Sequence, residues 1–268
     1  MYDPIRQIHA CLGRHPWADR IHHFHVTDST NTQAKHMAAS GAPNGTILIA
    51  EQQSGGRGRL GRQFFSPPGM GVYLSVILRP DCSPNQLMHL TCAAAVAACN
   101  AVEAAAGFRP DIKWTNDLVA GNRKLGGILT ELSIDPKTRR VEYAVVGIGI
   151  NCCQSEADFD PSIRSMACSI HSVTGRQVDR ILLICELIKA LYAMDEGLLT
   201  QREAILNRYR EGCRTLGKEV SVVQGEQSRH AVALDIDPQG ALIVRYADGS
   251  IQAVNSGEVS IRGLYGYI

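Results

Sequence analysis

The stretch GGRGRLGR, residues 55–62, sets three arginines among four glycines. Arginine presents a planar fork of donors that fits phosphate and carboxylate oxygens, and glycine lets the backbone come close to a ligand. Such a segment suits the closing of cations over an anion. It equally suits a solvated surface loop, because exposed arginines are common. Gly56, Gly58 and Gly61 fall on the G-x-G-x-x-G spacing of a dinucleotide-binding turn. That turn needs a strand before the glycines and a helix opening at them. TILIAEQ (46–52) supplies the strand, but FFSPPGMG follows, and its prolines and glycines end helices rather than start them. No Gly-Lys-Ser/Thr occurs either, so a P-loop is excluded.

A second polar cluster lies in DIKWTNDLVAGNRKLGGILTEL, residues 111–132. Lys113, Asn116, Asp117, Arg123 and Lys124 occupy the end of one strand, a turn and the start of the next, where rigid scaffolds concentrate site residues. The plainer reading is a solvated charged turn with AGN as the bend. In GIGIN (147–151), Asn151 reads either as a strand terminator or as an amide for a purine edge. Ser29, Thr30 and Asn31 read as a helix cap, as polar groups facing a ligand, or as both. His22, His23 and His25 have no carboxylate or cysteine at useful spacing, so a metal centre is not expected there. Neither a nucleophile elbow nor a Ser-His-Asp order is visible.

The elements that must hold these residues follow from periodicity. IHHFHVTDSTNTQAKHMAASG reads as a strand passing into a helix capped at Ser29 or Thr30 and stopped by Gly41. Strands are predicted over 46–52, 71–78, 111–114, 125–134 and 141–151, and helices over 85–107, 179–199 and 202–212. Beyond Leu216 the rhythm changes to short alternating strands broken by DPQG, DG and NSG. The pattern predicts an α+β domain over residues 1–215, opening on a short polar lead (1–23), and a small β-barrel over 216–268.

Composition narrows the function classes. A net charge of +1 gives no general field for binding nucleic acid, so any anion site is local. The nine cysteines are an odd number without zinc-like pairs, as expected of reduced thiols in the cytoplasm. Neither a signal peptide nor a membrane span is expected.

Taken in order, DSTNTQA, AEQQSGGRGRLGRQFFSPPGMGVYLSVIL, KWTNDLVAGNRKLGGILTEL, VVGIGIN and GEVSIR resemble the biotin–protein ligases, from about Phe24 to the end. The resemblance implies a mixed β-sheet flanked by helices, like a class II synthetase core, with an SH3-like C-terminal barrel. It implies a two-step reaction: biotin and ATP give biotinyl-5′-AMP and pyrophosphate, then a lysine of a biotin carboxyl carrier protein domain takes the biotinyl group. Magnesium is expected with ATP. By the same resemblance Ser29, Thr30, Asn31 and Gln53 match biotin contacts, and Arg57, Gly58 and Arg59 match the loop over biotin and the adenylate phosphate. Lys124 matches the lysine between biotin's carboxylate and the α-phosphate, so Lys124 and Arg59 are the expected catalytic pair. Arg62, Phe64, Asn116 and Asn151 match nucleotide-side positions, and Asp117 either orients its neighbours or helps hold magnesium.

Two positions depart from the family pattern. Phe64 stands where some members carry tryptophan, which reduces stacking area. Thr115 replaces a common proline, which is expected to loosen the turn at Asn116. Some members also carry an N-terminal winged-helix domain. The 23-residue lead is shorter than the roughly 50 residues of a small domain, so no DNA-binding role is expected. The family includes monomers and homodimers, and either state fits this sequence.

Overall fold

The computed structural model describes residues 3–255 and 260–263. The chain begins with α1 (Pro4–Leu12), where a polar lead was expected. Asp3 caps it by accepting from Arg6 N, Pro4 starts it, and Pro4, Ile8 and Leu12 make a buried stripe at four-residue spacing. The helix is short, and its stability comes from that packed stripe rather than from propensity.

Seven strands then form the main sheet: β1 (Ile21–Thr27), β2 (Thr46–Gln53), β3 (Gly71–Leu78), β4 (Asp111–Lys113), β5 (Asp117–Ala120), β6 (Arg123–Ile134) and β7 (Val141–Asn151). Their order is β1-β2-β3-β7-β6-β5-β4. β1 pairs parallel with β2, and the other pairings are antiparallel, so the sheet is mixed as expected. β5 is an addition: residues 117–120, read from sequence as part of a turn, form a strand between β4 and β6. AGN remains the bend, with Gly121 at φ +57°.

Helices α2 (Thr30–Ala39), α3 (Leu90–Ala106), α4 (Ile170–Thr174), α5 (Arg180–Gly197) and α6 (Arg202–Gly212) complete the domain. α3 starts later than expected. Residues 84–87 form a separate 3-10 turn closed by a Ser83–Gln86 capping box, and the buried His89 ring donates from Nε2 to Leu198 O at 2.9 Å just before α3 begins. Its C-terminal stop is the predicted one, Gly107 at φ +72°, a left-handed cap that suits glycine. The short α4 carried no recognised sequence signal.

The two faces of the sheet differ. The back face presents Ile47, Ile49, Val72, Leu74, Val146 and Ile150 to α3 and α5 in the main core. The alanines of α3 let it lie close, and Ala94, Ala95 and Ala98 are buried there. The stretch 84–106 is apolar enough by composition to cross a membrane, but 72% of its apolar window is buried inside this protein. On the front face α2 packs in a smaller cluster on Leu48, Ile77 and Val145, with Phe24 and Tyr143 at its edge. The rest of that face is left for a site.

A second, antiparallel sheet is built from β8 (Glu219–Gln224), β9 (Gln227–Ile236), β10 (Leu242–Tyr246), β11 (Ile251–Val254) and β12 (Ser260–Gly263), in the order β11-β10-β9-β8-β12. The expected hairpin at Asp248-Gly249 joins β10 to β11. Much of the GEVSIR motif lies outside the described residues. The two sheets meet through Trp114, whose backbone N–H donates to Thr215 Oγ1 at 2.9 Å and whose indole N–H donates to Gly240 O at 3.0 Å. Trp114 is buried. Trp114→Phe would keep much of the ring area but leave Gly240 O without its donor, and should lower stability by about 1–2 kcal/mol. Urea unfolding checks this; an unchanged midpoint would contradict a bracing role for the indole.

Candidate active site

One cavity on the front face is lined by twelve of the expected residues: Ser29, Thr30, Asn31, Gln53, Arg57, Gly58, Arg59, Arg62, Phe64, Asn116, Asp117 and Lys124. Asn151 lines a second, more apolar cavity beside it, and Arg62, Phe64 and Lys124 border both. The thirteen therefore share one connected region.

Its polar wall comes from the start of α2. Asp28 Oδ1 accepts from Ser29 N at 2.6 Å and from Gln33 Nε2 at 2.8 Å, fixing the entry to the helix. Ser29 occupies the N-cap position but its hydroxyl makes no capping bond. The cap reading therefore holds for position only, and the hydroxyl is left for the cavity. Thr30 donates to Gln53 Oε1 from its backbone at 2.9 Å and from its hydroxyl at 3.2 Å, while Gln53 Nε2 donates to Ser66 Oγ at 2.8 Å. The Gln53 amide is thereby oriented, oxygen toward the helix start. Asn31 is held more fully. Its Nδ2 donates to Leu129 O and Glu131 Oε2, and its Oδ1 accepts from Ser75 Oγ at 2.7 Å. Asn31 thus lines the cavity as a strut that positions its neighbours.

The glycine–arginine stretch folds back on itself. Arg57 bridges to Gln63, Gly58 N donates to Arg62 O at 2.7 Å, and Phe64 N donates to Gly56 O at 2.9 Å. The tip is a 3-10 turn, Arg59–Gly61. No helix opens at these glycines, in keeping with the rejected dinucleotide turn. Arg59 reaches across the cavity and donates to Asn116 Oδ1 at 2.9 Å. Burial lowers the pKa of this guanidinium, Asp117 opposes that shift, and nearby Arg62 adds to it. A cation partly withdrawn from water interacts more strongly with an anion brought to it than one at the open surface does.

The floor is the β4–β5–β6 meander. Lys124 Nζ donates to Asp117 Oδ1 at 2.6 Å from the adjoining strand. Asn116 is clamped against β6, donating from Nδ2 to Ile128 O at 3.0 Å and accepting Ile128 N at 2.8 Å. Thr115 does not loosen this turn as expected. It is buried, and its carbonyl accepts the Tyr209 hydroxyl at 3.0 Å. Phe64 lies over Gly149, where an added Cβ would sit 2.5 Å from the ring, and Gly147 makes room for the Asn31 amide in the same way. Alternating glycines on one strand face are a readable signal of such close approach, and GIGIN carried it.

The sequence reading missed Glu131. It stands on β6 in the same alternation as Gly127 and Leu129, both of which line the cavity. Lys35 Nζ lies 2.7 Å from its carboxylate and Arg57 Nη1 lies 3.2 Å away. A lone acid at the cavity-side position of an apolar strand was the available cue. Ser75, a wholly buried hydroxyl on β3, was missed too. Among the described residues no group of three or more His, Cys, Asp or Glu side chains is placed to hold a metal.

Burial opposes ionisation of Glu131, but hydrogen bonds from Lys35 and Asn31 and the charge of Arg57 outweigh it and hold its pKa below the ordinary glutamate range. A folded-state pKa below the unfolded one adds stability above the unfolded value, and that stability is lost as the pH falls through the folded value. Glu131→Gln should therefore unfold at lower urea than the unmodified protein at pH 7, with the gap closing under acid conditions. A gap that is constant with pH would remove the ionised carboxylate from the account.

Comparisons with known proteins agree with this geometry. The biotin/lipoate A/B protein ligase family model matches residues 23–151, and that of the biotin protein ligase C terminal domain matches residues 215–262. The bifunctional ligase/repressor BirA of Bacillus subtilis is 33% identical over 241 residues, covering 88% of this chain and 72% of that protein. The biotin–[acetyl-CoA-carboxylase] ligase of Mycobacterium tuberculosis is 32% identical over 239 residues, covering 87% and 85%. Among solved structures, the biotin protein ligase from Aquifex aeolicus in complex with biotin and ATP aligns at a TM-score of 0.76 and 26% identity, covering 91% of this chain and 99% of that one. This chain belongs to the biotin protein ligases and is a biotin ligase enzyme.

Proposed function

We propose that the protein activates biotin as biotinyl-5′-AMP and transfers it to one lysine of a biotin carboxyl carrier domain. The observation that carries this reading is the convergence of Arg59, Arg62 and Lys124 on a cavity whose opposite wall is the polar start of α2.

In the first step a biotin carboxylate oxygen attacks the α-phosphorus of ATP, and pyrophosphate leaves with the electrons of the broken P–O bond. Two anions must be pressed together, so catalysis depends on cations fixed before the reaction begins. Lys124 supplies a compact ammonium between the carboxylate and the α-phosphate, and Asp117 holds it on the cavity floor. Arg59 supplies a half-buried guanidinium from above, steadied by Asn116. Ser29, Thr30 and Gln53, braced by Asn31, form the biotin end; Arg57 and Gly58 close over it; Arg62, Phe64, Asn116 and Asn151 form the nucleotide end. Magnesium carried on the ATP phosphates would neutralise part of their charge. Asp117 is the carboxylate that lines the main cavity, in keeping with an ion that takes few protein ligands. In the second step the lysine amine attacks the acyl carbon, loses a proton, and AMP departs. The folded-back loop keeps water from the anhydride meanwhile. The nine cysteines are unpaired, as a reducing compartment leaves them, which supports a cytoplasmic setting.

Incubation with biotin, ATP, magnesium and a carrier domain should add one biotinyl mass to a single lysine. Tight biotin binding without that gain would instead identify a non-catalytic biotin sensor. Lys124→Ala should slow biotin-dependent pyrophosphate exchange by about 100-fold or more while weakening biotin binding far less; exchange at the unmodified rate would exclude Lys124 from the chemistry. Arg59→Gly should release the adenylate and label lysines of bystander proteins, whereas full retention of the adenylate would show that the guanidinium does not hold it.

A further inference from the structure

Just beyond β7, Gln154 is 0% exposed and borders neither cavity. Its Nε2 donates to Asn151 Oδ1 at 3.3 Å, and its own Oε1 is buried with no hydrogen-bond partner among the described residues. A buried amide with an unpaired oxygen is unfavourable and calls for an explanation. The geometry around Asn151 supplies one. Asn151 Nδ2 donates to Cys168 O at 3.0 Å. A backbone carbonyl only accepts, so this bond decides which end of the Asn151 amide is nitrogen. Gln154 then engages the oxygen end, and Ser169 Oγ anchors Gln154 through its backbone carbonyl. The Asn151 amide is gripped from both ends, and each end keeps one hydrogen-bonding site free. Around it the second cavity is lined by Phe64, Phe65, Phe159, Ile163 and Met166, a surround suited to a flat apolar ring.

We propose that Gln154 is a positioning residue for nucleobase choice: from behind the cavity it holds the Asn151 amide in the one orientation whose donor and acceptor match an adenine edge. The proposal rests on the reading that Asn151 faces the nucleobase. An asparagine amide pairs with adenine by donating to a ring nitrogen while accepting from the exocyclic amine. Guanine carries a carbonyl where adenine carries that amine, so an amide fixed for adenine sets oxygen against oxygen. An amide released from Gln154 rotates more freely and loses part of that discrimination.

The test is steady-state kinetics of carrier biotinylation with ATP and with GTP. Gln154→Met keeps the volume but cannot donate to Asn151; it should raise KM for ATP about five- to ten-fold, a hydrogen bond's worth. The change in kcat should be smaller, the ATP-over-GTP preference should narrow, and biotin binding measured without nucleotide should be unchanged. Gln154→Leu, which is smaller and likewise has no donor, repeats the test if the methionine variant fails to fold. In an Asn151→Ala background Gln154→Met should add no further rise in KM for ATP. An unmodified KM and nucleotide preference in the foldable Gln154 variant would overturn the proposal, as would a full additional effect in the Asn151→Ala background. If Asn151→Ala itself left KM for ATP unchanged, the nucleobase reading of Asn151 would fall instead.

Discussion

The ammonium of Lys124, held 2.6 Å from Asp117 on the neighbouring strand, is the fixed charge around which this molecule is arranged. An ion pair on a flexible surface contributes little and moves freely. This one is different because both partners stand on strands. Lys124 N donates to Met166 O, and Cys168 N donates to Lys124 O, so the lysine backbone is tied on its outer side as well. The register of β5 against β6 shifts between Leu118 and Val119, which lets Asp117 pair opposite Gly127 while Lys124 stays opposite Val119. A bulge of this kind re-aims side chains next to a site.

The remaining cations depend on that floor. Arg59 reaches it through Asn116, and Asn116 is fixed by two hydrogen bonds with Ile128 on the same β6. Arg57 is held at the opposite rim by Glu131, further along the same strand. A single strand therefore carries the anchors for both ends of the glycine–arginine hairpin. Because the hairpin closes on its own hydrogen bonds, its arginines can be directed inward without a helix to support them.

The unequal faces of the sheet make this possible. The back is sealed by α3 and α5 over a continuous apolar surface, which supplies the hydrophobic stabilisation that a polar front face lacks. On the front, glycines at 147 and 149 remove side chains where Asn31 and Phe64 must approach the backbone. The C-terminal sheet is braced through Trp114, two residues from Asn116, so the joint between the sheets lies directly beside the floor of the cavity.

Much of this was legible in the residues themselves. Strands such as GVYLSVIL and VEYAVVGIGIN are buried over most of their length and read as nearly continuous apolar runs. Gly107 marked a helix end, and the arginine–glycine and lysine–asparagine clusters marked the cavity, because local composition constrains local conformation. Contacts distant in the chain were not legible. Gln53 is oriented by Thr30 and Ser66, and Asn31 by Ser75 and Glu131, across separations that no spacing rule encodes. β5 was hidden because four residues carry too little periodicity to separate a strand from a turn. α1 was hidden because its stripe of Pro4, Ile8 and Leu12 gains meaning only against the core. The sequence by itself determined the kinds of element and the chemistry of the groups. Which amide supports and which faces the cavity was decided by tertiary packing, because a hydrogen-bonding group takes its role from whatever the fold brings opposite it.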